Sequence, residues 1–159
     1  GRRGTTLRSM IATSVGYDIV FLIHLLAGVA ALAVFITMHF SAQKVARGAD
    51  NAVQLAKFPG GRNWAARILH LLPITGIIMS SIGSKDVSFS QPWVSAGLLI
   101  YILAAGHLEA RLLPSERTLA KTIKENGVAS PAAGRKFMIS VDTLLALVAV
   151  GFVVMLVQI

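Results

Sequence analysis

The apolar and polar positions of this chain fall into long blocks. Four apolar runs, at about 19–40, 64–83, 93–113 and 138–159, take up most of the 159 residues. A helix rises about 1.5 Å per residue, so each run of roughly 20 residues is long enough to cross a hydrocarbon core of about 30 Å. The pattern predicts an all-α fold, a polytopic membrane protein built as a four-transmembrane-helix bundle. Residues 1–159 form a single membrane domain in this reading, with larger loops at about 41–63 and 114–137.

Local signals place the ends of the helices. Helix 1 is expected to begin near Asp18 and to run on to about Arg47, where Gly48 and Asp50 interrupt it. Residues 51–58 hold room for another turn or two, and Pro59-Gly60-Gly61 is a loop. Asn63 is a good N-cap for helix 2, and Trp64 follows at interface height. Pro73 lies inside that helix, where it removes the bond to the Leu69 carbonyl and predicts a bend. The short link 84–92 predicts a tight antiparallel hairpin of helices 2 and 3. Pro92-Trp93 opens helix 3, and Pro114 is expected to close it. Ser115 then caps a short surface helix with Leu119 and Ile123 on one face, and Asn126-Gly127 ends it. Ser130-Pro131 leads into helix 4. The first nine residues, GRRGTTLRS, read as a basic, structureless extension before a natural start at Met10. The apolar run behind them is too long for a signal-peptide core, so it reads as a retained first span.

Composition supports a membrane setting. Hydrophobic residues make up 55% and charged residues 14% of the chain, where a soluble domain carries nearer about a quarter charged. The absence of cysteine excludes disulfides, thiolate metal sites, c-type haem attachment and cysteine nucleophiles. The net charge of +8 does not point to nucleic acid, because the cations sit in loops beside apolar spans. Lys44, Arg47, Lys57, Arg62, Arg67, Arg111, Arg117, Lys121, Lys124, Arg135 and Lys136 share one side. Lys85, Arg2, Arg3 and Arg8 are on the other. The positive-inside rule then places both larger loops in the cytoplasm and both termini outside, in a bacterial plasma (inner) membrane. The partners implied are the lipid bilayer and other membrane protein subunits.

Lipid is as apolar as leucine, so helices associate where small residues allow close approach. Gly28, Gly76, Ser80 and Gly106 are the helix-contact candidates. Ala104 and Ala105 on helix 3, and Ala146, Ala149 and Gly151 on helix 4, extend the set.

The remaining information lies in polar residues at membrane depth, which are costly there and default to functional hypotheses. His24 stands near the outer end of helix 1 and His39 near its inner end. His70 and His107 lie at similar depth on helices 2 and 3. Those two could bind a cofactor such as haem b, or copper or another metal together with His39. The structural alternative, histidines hydrogen-bonded between helices, leaves the chain without a cofactor and is the expectation. Arg67, Arg111 and Asp142 sit near the same level, and an ion pair of Asp142 with Arg67 or Arg111 is expected, with proton transfer as the alternative. His107 and Arg111 share a helix face, while Glu109 points elsewhere, toward loop arginines or a partner protein. No phosphate loop, HExxH, nucleophile elbow or carboxylate pair within one span is present.

The segments IHLLAGVAAL (23–32), RILHLLPITGIIM (67–79) and HLEARLLPSE (107–116) resemble those of an uncharacterised family of small bacterial four-helix integral membrane proteins. That family is distantly like the membrane domain of copper-resistance proteins. The resemblance implies the fold, and a copper role would carry over only to His24, His70 and His107. The functional expectation is a non-catalytic accessory or assembly subunit of a larger inner-membrane complex, a respiratory-chain complex by analogy. A haem- or metal-binding membrane protein, and a small oligomeric transporter or proton pathway, are the alternatives.

Overall fold

The computed structural model describes residues 2–47, 63–83 and 88–157, with side chains from residue 15 onward. The described residues are helical, with no strand among them. Helix α1 runs Arg2–Ala46. A 3₁₀ turn, Ala66–His70, leads into α2, Leu71–Ile82. Helix α3 is Pro92–His107, a π-helical stretch follows at Leu108–Leu112, and α4 is Leu113–Asn126. Helix α5 is Pro131–Val157. Three helical segments, Val15–Ala46, Pro92–Asn126 and Pro131–Val157, are long and apolar enough to cross a membrane, and Ala66–Ile82 is a shorter apolar one.

Several boundaries differ from the sequence expectations. The N-terminal backbone is helical from Arg2, rather than structureless over the first nine residues with helix 1 beginning near Asp18. No proline interrupts this stretch, and extending an existing helix adds one bond per residue without a new nucleus. Helix α5 starts at Pro131, seven residues before the apolar run, because proline at the first helical position forfeits only a bond that has no partner there. Pro114 does not end the third helix. The Leu113 N–H reaches back five residues to the Leu108 carbonyl, and this wider turn lets the chain pass the proline and continue as α4. Ser115 accordingly caps nothing; its hydroxyl donates to the Leu112 carbonyl at 2.7 Å. The expectations for Gly48, Asp50, 51–58, Pro59-Gly60-Gly61 and Lys85 lie outside the described residues.

Other local signals act as read. The Asn63 side chain accepts a bond from the Ala66 N–H at 3.0 Å, which starts the second helical segment. Its amide also donates to both oxygens of the buried Glu116, at 3.3 and 3.0 Å, and so ties that segment to α4. Gly127, at φ +73°, ends α4 in the left-handed conformation that glycine tolerates best. Pro73 lies in the first turn of α2, just after the 3₁₀ stretch that ends at His70.

The core runs along the contact between α1 and α5. Ala31, Phe35, Met38, Ala42 and Val45 are buried on α1, and Gly134, Phe137, Val141, Leu144 and Val148 on α5. Both sets step by alternating threes and fours, the spacing of a two-helix seam. The helices run antiparallel, with Gly28 beside Phe152, His39 beside Asp142 and Val45 beside Gly134. Helix α2 lies mainly on α1 and α3 mainly on α5, while α2 and α3 touch little. The expected tight pairing of the second and third helices is therefore loose, because a cavity lies between them.

Of the small residues, Gly28 faces Leu72 and Phe152, and Gly76 faces His24. Gly106 has nothing within reach of an added Cβ, so it makes no helix contact here. Gly151 does: a Cβ there would stand 3.2 Å from Ile100. Gly151→Leu is expected to push α3 from α5 and cost about 1–3 kcal/mol. Gly106→Leu should leave stability unchanged or raise it by up to about 1 kcal/mol through helix propensity. Thermal unfolding of the two variants in detergent checks this contrast.

Candidate functional site

The polar groups of the apolar segments join helices in pairs, and the donors define their protonation patterns. The Thr75 hydroxyl spends its hydrogen on the Leu71 carbonyl at 2.7 Å, so His24 Nδ1–H donates to Thr75 Oγ1, also at 2.7 Å. His39 Nε2 accepts from the Gln43 amide at 2.8 Å, which leaves the proton on Nδ1 to be donated to Asp142 at 2.5 Å. A carboxylate only accepts, so His70 Nε2–H donates to Glu109 at 3.3 Å and Nδ1 accepts from the Tyr101 hydroxyl at 3.0 Å. His107 Nε2–H donates to the Ser140 carbonyl at 2.9 Å. Arg67 holds Glu109 through two nitrogens at 3.2 and 3.3 Å and stands over the Trp64 ring at 6.0 Å.

These bonds redistribute the expected site residues. Asp142 pairs with His39 and not with Arg67 or Arg111. The reason is packing order: α5 lies on α1, so the acid meets the histidine of α1, while Arg67 faces the π-helical stretch and its Glu109. His70 and His107 bond to different partners, and His39 to a third set. Among the described residues, no group of three or more histidine, cysteine, aspartate or glutamate side chains is placed to hold a metal ion. His24, also implied by the copper resemblance, is bonded to Thr75 instead of meeting His70 or His107.

Two openings flank this polar layer. One is a cavity of about 350 Å³ in the half of the bundle that holds the α1 residues Tyr17 to Gly28. Its walls are mostly apolar, with Phe89, Trp93, Phe152 and Met155 among them, and His24 and Tyr101 supply polar edges. Ser80, a predicted helix-contact residue, lines this space. The other is an open cleft of about 1050 Å³ at the opposite end. Arg47, Arg111, Arg135 and Lys136 line it together with His107 and Gln43. His107 and Arg111 thus do share one face, and Glu109 turns to the other side, toward Arg67.

Sequence reasoning overlooked Tyr101, Thr75 and Gln43, the three neutral side chains that bond to the histidines. It could have found Gln43 at i+4 from His39, a spacing that brings side chains together on one helix face. Thr75 and Tyr101 needed the helix pairing itself.

The His39–Asp142 bond is expected to couple the two residues by about 0.6–1.7 kcal/mol, the range of hydrogen bonds between membrane helices. A double-mutant cycle of His39→Ala and Asp142→Ala, read by unfolding in mixed detergent micelles, measures it. A coupling of zero would mean that the pair does not hold α1 to α5.

No protein-family model matches the chain, and no curated protein and no solved structure matches it either.

Proposed function

We propose that this chain is a four-span membrane bundle of a bacterial inner membrane, with both termini outside, serving as a non-catalytic accessory or assembly subunit of a larger complex. The observation that carries the reading is the use made of the polar side chains. His24, His39, Arg67, His70, His107 and Asp142 each bond across to another helical element, so chemistry that a reaction would need is committed to holding helices in place.

The fourth span in this reading is the short one. Five residues of 3₁₀ helix at about 2.0 Å each, followed by twelve of α-helix at about 1.5 Å, reach about 28 Å, close to the thickness of a hydrocarbon core. The outer faces suit lipid or another subunit. Leu22, Leu26 and Val29 on α1, Leu99, Ile102 and Leu103 on α3, and Val150, Val153 and Leu156 on α5 are all exposed. A respiratory-chain complex is the assembly assigned, by analogy with small bundles that surround such machines.

Extraction from the native membrane in mild detergent followed by native mass spectrometry tests the reading. Additional protein masses in fixed ratio to this chain are expected. A chain that emerges alone, with or without a bound cofactor, overturns the subunit role.

A further inference from the structure

The open cleft at the end of the bundle gathers cations from three separate elements. Arg47 closes α1, Arg111 sits in the π-helical stretch, and Arg135 and Lys136 stand in the second turn of α5. Among the described residues, no acidic one lines the cleft. Among the described residues, none of these four cations has an ion-pair partner. The acids nearby are engaged elsewhere: Glu109 with Arg67 and His70, Asp142 with His39, Glu116 with Asn63, and Glu125 with Lys121. Like charges crowded together repel one another and favour a bound anion. The first turn of α5, which holds no acidic residue, adds the partial positive charge of a helix N-terminus to the same cleft.

Beside Gln43, His107 and Ser140, the remaining lining is apolar. Pro131, Ala132, Met138 and Ile139 border the cleft, and Ile139 is 56% exposed. From there α5 continues into its apolar length. The cleft therefore joins an anion-binding end to an apolar wall, at the height where a membrane span would leave the hydrocarbon. A free phosphate would use only the first of these features.

We propose that this cleft binds the phosphate headgroup of an anionic phospholipid. Arg111 and Arg135 grip the phosphate oxygens, Arg47 and Lys136 supply further positive charge, and the acyl chains lie along Ile139 and the exposed face of α5. Guanidinium groups suit this task because they bond to phosphate oxygens in pairs. The inference rests on the membrane-embedded part of the reading above and is independent of the accessory role.

The test uses the full chain, delipidated in mild detergent and titrated with phosphatidylglycerol, phosphatidylcholine or inorganic phosphate under native mass spectrometry. Phosphatidylglycerol is expected to bind about tenfold or more tightly than phosphatidylcholine, with inorganic phosphate weaker than both. The double variant Arg111→Gln/Arg135→Gln should lose that preference, while Lys121→Gln, outside the cleft, should keep it. If the double variant does not fold, Arg47→Gln and Lys136→Gln singly should each reduce the preference by a smaller factor. Equal binding of the two lipids, an unaffected set of cleft variants, or phosphate binding as tightly as the lipid each overturns the proposal. Flotation of the chain with vesicles of three parts phosphatidylcholine to one part phosphatidylglycerol separates the two readings. A chain that floats but shows no lipid preference refutes the cleft alone, and a chain that does not float refutes the membrane reading.

Discussion

The antiparallel seam between α1 and α5 is the contact on which the other helices are built. Phe35 and Phe137 are fully buried in it, and Ala31, Ala42 and Gly134 let the two backbones approach. Where the apolar outer faces meet lipid, as proposed above, removal from water does not drive such a contact, and fit and close approach must. The alternating three- and four-residue steps on both helices keep one stripe of each facing the other along several turns. Helix α2 then leans on the free side of α1, where Gly28 admits Leu72. Helix α3 leans on α5, where Gly151 admits Ile100 and Gly97 admits Met155.

Polar bonds act on top of this seam. His39 and Asp142 lie along it, and a slip of one helical turn would part them. Their value lies less in net stability than in choosing one register among several that apolar stripes would accept. Thr75 with His24 and Ser140 with His107 do the same for α2 on α1 and for α3 on α5. Each of these contacts spends a histidine ring nitrogen on a bond to a neighbouring helix.

The sequence makes the apolar segments legible because hydropathy and length are local properties. Asn63 and Gly127 were equally legible, since a cap or a stop depends on the nearest few residues. What could not be read was direction around each helix axis. Depth along a span placed Asp142 level with Arg67 and Arg111, yet depth says nothing about which helix stands opposite. Only the pairing of α5 with α1 selects His39. Gly106 and Gly151 look alike in sequence, and the same missing angle decides that one touches a neighbour and the other none. Pro114 misled for a different reason. A proline normally ends a helix, but a π turn ahead of it moves the carbonyl it would have struck, and nothing in the residues 108–112 announces that turn.

The same stretch carries opposite charges to two sides of the bundle. Glu109 and Arg111 are two residues apart on one short segment, and they leave it in different directions. Glu109 goes to Arg67 and His70 and neutralises that side. Arg111 goes to the cleft, where it joins Arg47, Arg135 and Lys136 and meets no described carboxylate. Had the glutamate turned the other way, the cleft would have held its own counter-charge and Arg67 would have lacked one. Two residues of opposite charge, two positions apart on one helical stretch, thus make two unlike faces, one with Arg67 paired to Glu109 and one with Arg111 beside further cations.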